Sequence, residues 1–303
     1  MKRDLISILD LEAEDLEQIM QDAAALKTLR KEGKEHPILQ GKNLAMIFEK
    51  PSTRTRISFE VGMNDLGGHA LHLNHKDMQL GRGEEVRDTA RVISRYVSGV
   101  MIRAFLHSTI EEFAAHATIP VINGLSDKEH PCQLLADIFT IREYFGSTRE
   151  IRVAWVGDGN NVCNSLILAS GLTGMDLRIA APVGYRPDPA VVERGRTVGG
   201  KVAVSNSPGE AVKDAEVIFT DTWISMGDET QQAQRVKAFD GYTVDEALLK
   251  SADNDAIVMH CLPAHRGQEI TDEVLDGPQS AVWDEAENRL HVQKAVLVNL
   301  LRT

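Results

Sequence analysis

Two arginines flank a threonine in the run Pro51-Ser52-Thr53-Arg54-Thr55-Arg56, where an apolar stretch from Asn43 to Phe48 gives way to a periodic segment from Ile57 to Leu66. The first stretch reads as a buried strand. The second, with Ile57, Val61 and Leu66 recurring and Phe59 and Met63 between them, reads as a helix. The polar run therefore falls on a strand-to-helix turn, where Ser52 or Thr53 can cap and the first-turn N–H groups have no partner inside the helix. Those donors and the positive end of the helix dipole favour an anion. Two cations at that same end repel the dipole unless negative charge lies between them, so a phosphate group suits this turn. The plainer alternative is a capped helix with both arginines solvated.

Other chemistry-bearing residues sit at comparable points. Arg103 follows the buried strand Gly99 to Ile102, at the carboxyl edge where open parallel sheets bind ligands. His130 precedes Pro131, which opens a helix through Leu134, Leu135, Ile138, Phe139 and Ile141. A positive helix end would keep that ring neutral, unless His130 serves only as a cap. Three further strand ends are polar: Asn161 after Ile151 to Val156, Asp221 after Glu216 to Thr220, and His260-Cys261-Leu262-Pro263 after Ala256 to Met259. Asp221 runs on into Thr222-Trp223-Ile224-Ser225-Met226-Gly227. One carboxylate, one amide, one hydroxyl and one thiol make a cradle for an amino acid, its ammonium meeting Asp221 and its carboxylate meeting N–H donors or Asn161. Cys261 fits three uses: a nucleophile, a buried structural thiol, or a non-covalent contact to substrate. Its neighbour His260 points to the opposite strand face and is poorly placed to deprotonate it.

The elements that position these residues alternate. A helix from Leu11 to Arg30 comes first, and a short strand from His69 to Leu73 follows the arginine-rich turn. His69, His72 and His75 recur at an odd spacing, which puts neighbours on opposite strand faces and argues against their converging on a metal. Asp77 to Glu84 is a polar loop with two glycines. Beyond it lie a helix bearing Val86, Ala90, Ile93 and Val97, another from Glu111 to Ala117, and a strand from Pro120 to Ile122. Gly146-Ser147-Thr148 suggests a domain boundary. In the second half, Gly157-Asp158-Gly159 precedes a helix from Val162 to Leu172 and resembles half of a dinucleotide fingerprint. Val162 replaces the third glycine, and the strand Leu177 to Ala180 ends in Ala181 and Pro182 rather than an acid, so a nicotinamide cofactor is not expected. A strand from Lys201 to Val204 and a helix from Thr243 to Lys250 continue the alternation. The closing helix, Glu287 to Leu301, has Leu290, Leu297 and Leu301 on its buried side and Arg289 near its start, where an arginine alone reads as solvated. The fold class is α/β, with two open parallel sheets.

Composition narrows the function classes. A formal net charge of -12 argues against general nucleic-acid affinity, and positive charge for a phosphate must be gathered locally. Three cysteines, Cys132, Cys163 and Cys261, form neither an even set nor a Cys-x-x-Cys pair, which points to a reducing compartment. No apolar run is long enough to span a membrane and the start carries no export pattern, so a cytoplasmic location is expected.

Taken together, Ser52-Thr53-Arg54-Thr55-Arg56, Asp77-Met78-Gln79-Leu80-Gly81-Arg82-Gly83-Glu84, His130-Pro131-Cys132-Gln133, Asp221 to Gly227 and His260-Cys261-Leu262-Pro263 resemble the ornithine carbamoyltransferase family, within the aspartate/ornithine carbamoyltransferase superfamily. The motifs occur in the family's order over nearly the whole chain. The resemblance implies a carbamoyl-phosphate-binding domain at 1–146, an ornithine-binding domain at 147–286 and a C-terminal helix, 287–303, returning to the first domain. It implies transfer of the carbamoyl group of carbamoyl phosphate to ornithine, giving citrulline and phosphate as in arginine biosynthesis, with no metal and no organic cofactor. By the same resemblance Ser52, Thr53, Arg54 and Thr55 hold the phosphate with Arg103. Arg103, His130 and Thr55 polarise the carbamoyl oxygen, and Gln133 orients the carbamoyl group. Asn161, Asp221, Ser225 and Met226 hold ornithine, with Asp221 and Cys261 nearest its proton. Cys261 and Leu262 lie where the substrates meet, next to a cis Leu-Pro bond, and Arg289 is the last site arginine. Gln79 reaches a neighbouring subunit's site, which implies a homotrimer or a multiple of trimers, with small-molecule substrates and neither nucleic acid nor membrane as partner.

Overall fold

The computed structural model describes residues 3–224 and 229–302. The chain forms two compact units, one of Met1–Phe139 with Glu287–Thr303 and the other of Thr140–Ala286. Each is built on a parallel sheet. No helix among the described residues is long and apolar enough to cross a membrane.

In the first unit the elements run α1 (Ala13–Lys31), β1 (Asn43–Phe48), α2 (Thr53–Asp65), β2 (His69–Asn74), α3 (Val86–Ile93), β3 (Gly99–Arg103), α4 (His107–His116), β4 (Val121–Leu125) and α5 (Pro131–Phe145), the last continuing into the second unit. The four strands lie in the order β2-β1-β3-β4. β1 is buried from Leu44 onward, the unbroken apolar run expected of a central parallel strand, whereas the edge strand β2 is only partly covered. Sheet order reverses between β1 and β3, and their register pairs Phe48 with Arg103. The turn after β1 and the arginine ending β3 thus reach the same edge at the switch point, where such sheets bind ligands. The loop from Asp77 to Glu84 holds short 3-10 turns at its ends rather than plain coil: His75–Asp77 is capped by the Asn74 side chain, and Leu80–Arg82 closes on Gly83 at φ 97°. α4 begins at His107, earlier than the apolar pattern indicates, because Asp127 accepts its first N–H at 2.6 Å.

The second unit contains β5 (Arg152–Val156), α6 (Asn161–Thr173), β6 (Asp176–Ala180), α7 (Pro189–Thr197), β7 (Lys201–Ser205), α8 (Pro208–Val212), β8 (Val217–Phe219), α9 (Gln232–Ala238), α10 (Glu246–Leu249), β9 (Ile257–Met259) and α11 (Asp272–Leu275). Its strand order is β7-β6-β5-β8-β9, which reverses between β5 and β8, so the turn after β5 and Asp221 after β8 share the switch point. Val156, Ile218, Trp223, Phe239, Val244 and Val258 help to form its apolar core. The helix expected from Thr243 to Lys250 is only the four residues of α10. Val244 pairs with Ile270 in a β-bridge, and Asp245 caps the helix by accepting from Leu248 N at 2.8 Å.

The closing helix α12 (Val282–Leu301) starts five residues before the sequence pattern places it. From Glu287 on it belongs to the first unit, packing back on α1 and α2: Lys27 Nζ donates to Asn288 Oδ1 at 2.8 Å, and Gly62 of α2 lies against the stem of Lys294. It is not buried on one side only. From His291 to Val298 every residue is buried, while Leu290 is only partly covered.

Candidate active site

The first half of the site is assembled at the switch point of the first sheet. Ser52 is the N-cap of α2, its Oγ accepting from Thr55 N at 3.3 Å, so Ser52 rather than Thr53 is the cap. Arg56 turns away along the helix to pair with Glu60 at 2.9 Å. One of the two arginines thus finds its counter-charge within α2, and only Arg54 bears on His130. His130 precedes α5, and its carbonyl accepts from Leu134 N at 3.2 Å. Its ring is held well below the usual histidine range, first by burial and then by the positive charges of Arg289, Arg103 and Arg54. Burial and three guanidiniums thus add to the positive helix end in disfavouring the charged ring.

Arg289 is 5% exposed, which overturns the solvated reading of its sequence position. Its Nη1 donates to Gln133 Oε1 at 2.6 Å and its Nη2 to Thr55 Oγ1 at 3.3 Å. Gln133 in turn donates to Asp137 Oδ1 at 2.8 Å, which fixes its amide. Thr55, Arg103, His130, Gln133 and Arg289 are thus buried near one another, although Arg103 and Arg289 arrive from a strand and a helix far apart in sequence. Cys132 is no reagent: burial pushes its thiol up to about 12, against the pull of Arg289, and the thiol donates to Asn123 O. A cavity of about 650 Å³ opens beside the cap, lined by Ser52, Thr53 and Arg56 but also by Glu49 and Glu60. Arg56 and Lys76 in the same lining offset those two carboxylates. Gln79 is exposed, at the start of the Leu80–Arg82 turn.

In the second unit Asp221 is 5% exposed and accepts three hydrogen bonds. Its Oδ2 accepts from Asn160 Nδ2 at 2.7 Å, and its Oδ1 from Thr222 N at 2.8 Å and from Cys261 Sγ at 3.1 Å. Asn160 also caps α6, its Oδ1 accepting from Val162 N at 3.0 Å and Cys163 N at 3.1 Å. Asn161, the residue the sequence singles out, is the first residue of α6 and half-buried. The hydrogen bond to Asp221 comes from its predecessor, and the N-cap rule applied to Gly159-Asn160-Asn161 could have found it. Ser225, Met226 and Gly227 lie outside the described residues.

His260 is fully engaged away from Cys261. Its Nδ1 accepts from Leu262 N at 2.8 Å, and its Nε2 faces Glu269 Oε1 at 3.1 Å. The first contact supports Leu262, which adopts φ 59° before the cis Leu262–Pro263 bond. Asp221, His260 and Cys261 bring a carboxylate oxygen, a ring nitrogen and a thiol within 4.8 Å of one another, a set able to ligate a metal. To do so His260 would have to give up one of these two hydrogen bonds. A clamp that the sequence did not reveal braces the same region: Arg235 Nη1 donates to Asp158 Oδ2 and to Trp223 O, both at 2.9 Å, and its guanidinium lies 5.0 Å from the Tyr185 ring centroid.

One unit gathers guanidiniums around a neutral histidine, and the other presents a buried carboxylate and a thiol at a switch point. Holding an anionic group donor at the first and an amine at the second is the equipment of a group-transfer enzyme. Residues 3–143 match the family described as aspartate/ornithine carbamoyltransferase, carbamoyl-P binding domain, and residues 149–300 match its Asp/Orn binding domain. The ornithine carbamoyltransferase of Methanoculleus marisnigri is 62% identical over 301 residues, covering 99% of this chain and 97% of the relative. The solved ornithine carbamoyltransferase from Pyrococcus furiosus superposes with a TM-score of 0.95 at 52% identity, over 99% of this chain and 97% of that one. The enzyme from Thermus thermophilus gives 0.90 at 42%, over 99% of both chains. The chain belongs to the aspartate/ornithine carbamoyltransferase family.

Proposed function

We propose that this chain transfers the carbamoyl group of carbamoyl phosphate to the side-chain amine of L-ornithine, giving L-citrulline and phosphate, a step of arginine biosynthesis. The observation that carries the reading is the buried cluster in which Arg289 donates to Thr55 and Gln133 beside Arg103 and His130, where burial and the charges of Arg289, Arg103 and Arg54 disfavour a charged histidine. Three fixed positive charges suit a phosphate dianion, and a neutral imidazole beside them can donate a hydrogen bond without competing for that dianion.

Ser52, Thr53, Arg54 and Thr55 hold the phosphate with Arg103, and Arg289 completes the binding set. Arg103, His130 and Thr55 act on the carbamoyl oxygen, while Gln133, its amide fixed by Asp137 and Arg289, orients the carbamoyl group. The amine lone pair attacks the carbamoyl carbon and the carbonyl electrons move onto oxygen, where these donors stabilise the oxyanion. The tetrahedral adduct collapses, the bond to phosphate breaks, and the amine's proton leaves with phosphate or through the Asp221–Cys261 pair. Asp221, Asn161, Ser225 and Met226 hold ornithine. Cys261 and Leu262 contact the reacting groups; the S–H of Cys261 donating to Asp221 supports a non-covalent role for it. The substrates divide between a carbamoyl-phosphate domain at 1–146, with the helix 287–303, and an ornithine domain at 147–286.

We further propose that the enzyme is a homotrimer or a multiple of trimers in which the exposed Gln79 serves a neighbouring site. A cytoplasmic location is supported by an odd set of three cysteines with no Cys-x-x-Cys pair. Formation of the carbamoylated (ureido) product from carbamoyl phosphate, measured colorimetrically with ornithine, putrescine, N-acetylornithine and aspartate offered in turn, tests the assignment. Turnover is expected with ornithine; none with ornithine, or faster turnover with another acceptor, would overturn it.

A further inference from the structure

One buried side chain beside the arginine cluster has no role in the mechanism above. Gln293 is fully buried on α12, one helical turn beyond Arg289. With its amide oxygen toward the guanidinium, Oε1 accepts from Arg289 Nε at 3.1 Å and from Nη2 at 3.0 Å, while Nε2 donates to Ser58 Oγ at 2.5 Å. The reverse orientation would set N–H against N–H. Ser58 Oγ then donates to Thr55 O at 3.2 Å, which brings the chain of hydrogen bonds back to the capping turn.

We propose that Gln293 is a positioning residue for carbamoyl phosphate: it takes the Nε–Nη2 edge of Arg289, sets the rotation of that guanidinium, and ties it through Ser58 to the turn of α2. The inference rests on reading Arg289 as a ligand of carbamoyl phosphate. The donor directions permit little else. Arg289 can only donate, so the side chain on that edge must accept; Ser58 Oγ spends its proton on Thr55 O, so the same side chain must also donate. Only an amide does both at that length without charge. A carboxylate would accept from Arg289 but would cancel its charge where an anion binds. An apolar side chain would leave two guanidinium N–H groups buried without that acceptor.

The test compares Gln293→Met, which keeps volume, with Gln293→Glu, which keeps the acceptor but adds charge, and with Arg289→Met. Initial rates of citrulline formation are measured with carbamoyl phosphate varied at saturating ornithine and then the reverse, alongside thermal unfolding without ligand. Gln293→Met is expected to raise the KM for carbamoyl phosphate about 10- to 100-fold, as for loss of hydrogen bonds to a charged group. Its KM for ornithine should stay within about twofold, and Gln293→Glu should raise the carbamoyl phosphate KM further. A carbamoyl phosphate KM within about twofold of wild type in Gln293→Met, or equal rises in both KM values, overturns the positioning role. So does Gln293→Glu binding carbamoyl phosphate as well as wild type, which also decides the matter should Gln293→Met fail to fold. If Arg289→Met itself leaves that KM unchanged, the reading of Arg289 as a ligand fails instead.

Discussion

Asp221→Asn is the smallest change that separates the charge of the proposed amino-acid cradle from its shape. The carboxylate accepts from three donors: Asn160 Nδ2 on one oxygen, Thr222 N and Cys261 Sγ on the other. An asparagine must turn an NH₂ toward one of these sides, so a donor meets a donor in a site only 5% exposed. Turning the Asn160 amide over would relieve one clash but would withdraw Oδ1 from Val162 N and Cys163 N, uncapping α6 at about 1 kcal/mol. The free protein should therefore lose about 1–3 kcal/mol of stability. Ornithine binding should lose the charge-assisted hydrogen bond to its ammonium, about 1.5–3 kcal/mol, or roughly 10- to 150-fold in KM. Carbamoyl phosphate, assigned to the first unit, should keep its KM. Steady-state rates with each substrate varied in turn, with denaturant unfolding of the free variant, read these quantities separately. An ornithine KM within about twofold of wild type would refute the assignment of Asp221 to the ammonium.

Four further outcomes follow from the same geometry. Arg103→Ala should lower kcat at saturating substrates about 10²- to 10³-fold, the cost of one oxyanion donor, and near-wild-type turnover would exclude that role. Cys261→Ser should keep turnover within roughly tenfold, since a hydroxyl can donate to Asp221 as the thiol does; a loss beyond about 10⁴-fold would indicate covalent chemistry instead. His291, depressed from 6.5 to about 4 by burial first, with Lys294 and Lys27 adding and Glu287 opposing, stays neutral in the fold while the unfolded chain protonates. Stability is therefore full above about pH 6.5 and falls toward pH 4, by about 2 kcal/mol at pH 5; His291→Asn should lose less between pH 7 and pH 5 in denaturant titrations, and an unchanged acid slope would contradict this. Gly159→Ala would drive a methyl into the backbone of Arg186 and Pro187, so a Tm equal to wild type would contradict the packing of the turn after β5.

How far the site could be read from the chain depends on whether a feature is local. The turn after β1 is local: a strand, a proline, a capping serine and a helix lie within about a dozen residues, and anion chemistry follows from their order. Asp221 and Cys261 were legible as polar strand ends, because a parallel sheet sends every carboxyl end to one edge. Arg289 was not. One arginine on a helix face looks solvated, and only the packing of α12 on α1 and α2 buries it against Thr55 and Gln133. That Asn160 also reaches Asp221 was not legible, since it depends on which of two adjacent amides caps α6. The Thr243 to Lys250 pattern failed as a helix because Val244 had a strand-like partner in Ile270, distant in sequence.

The amino-acid sequence by itself determined the alternation of strands and helices, the parallel α/β class, the anion-seeking turn and the residue types offered at each strand end. These follow from periodicity and capping, which act over a few residues. Tertiary structure alone decided that Arg54, Arg103 and Arg289 all bear on His130, and that their charge and its burial disfavour a charged ring. It also decided that Gln293 sits against Arg289. Charge and hydrogen bonding depend on distance in space, and a linear chain carries no such distance until its core has packed.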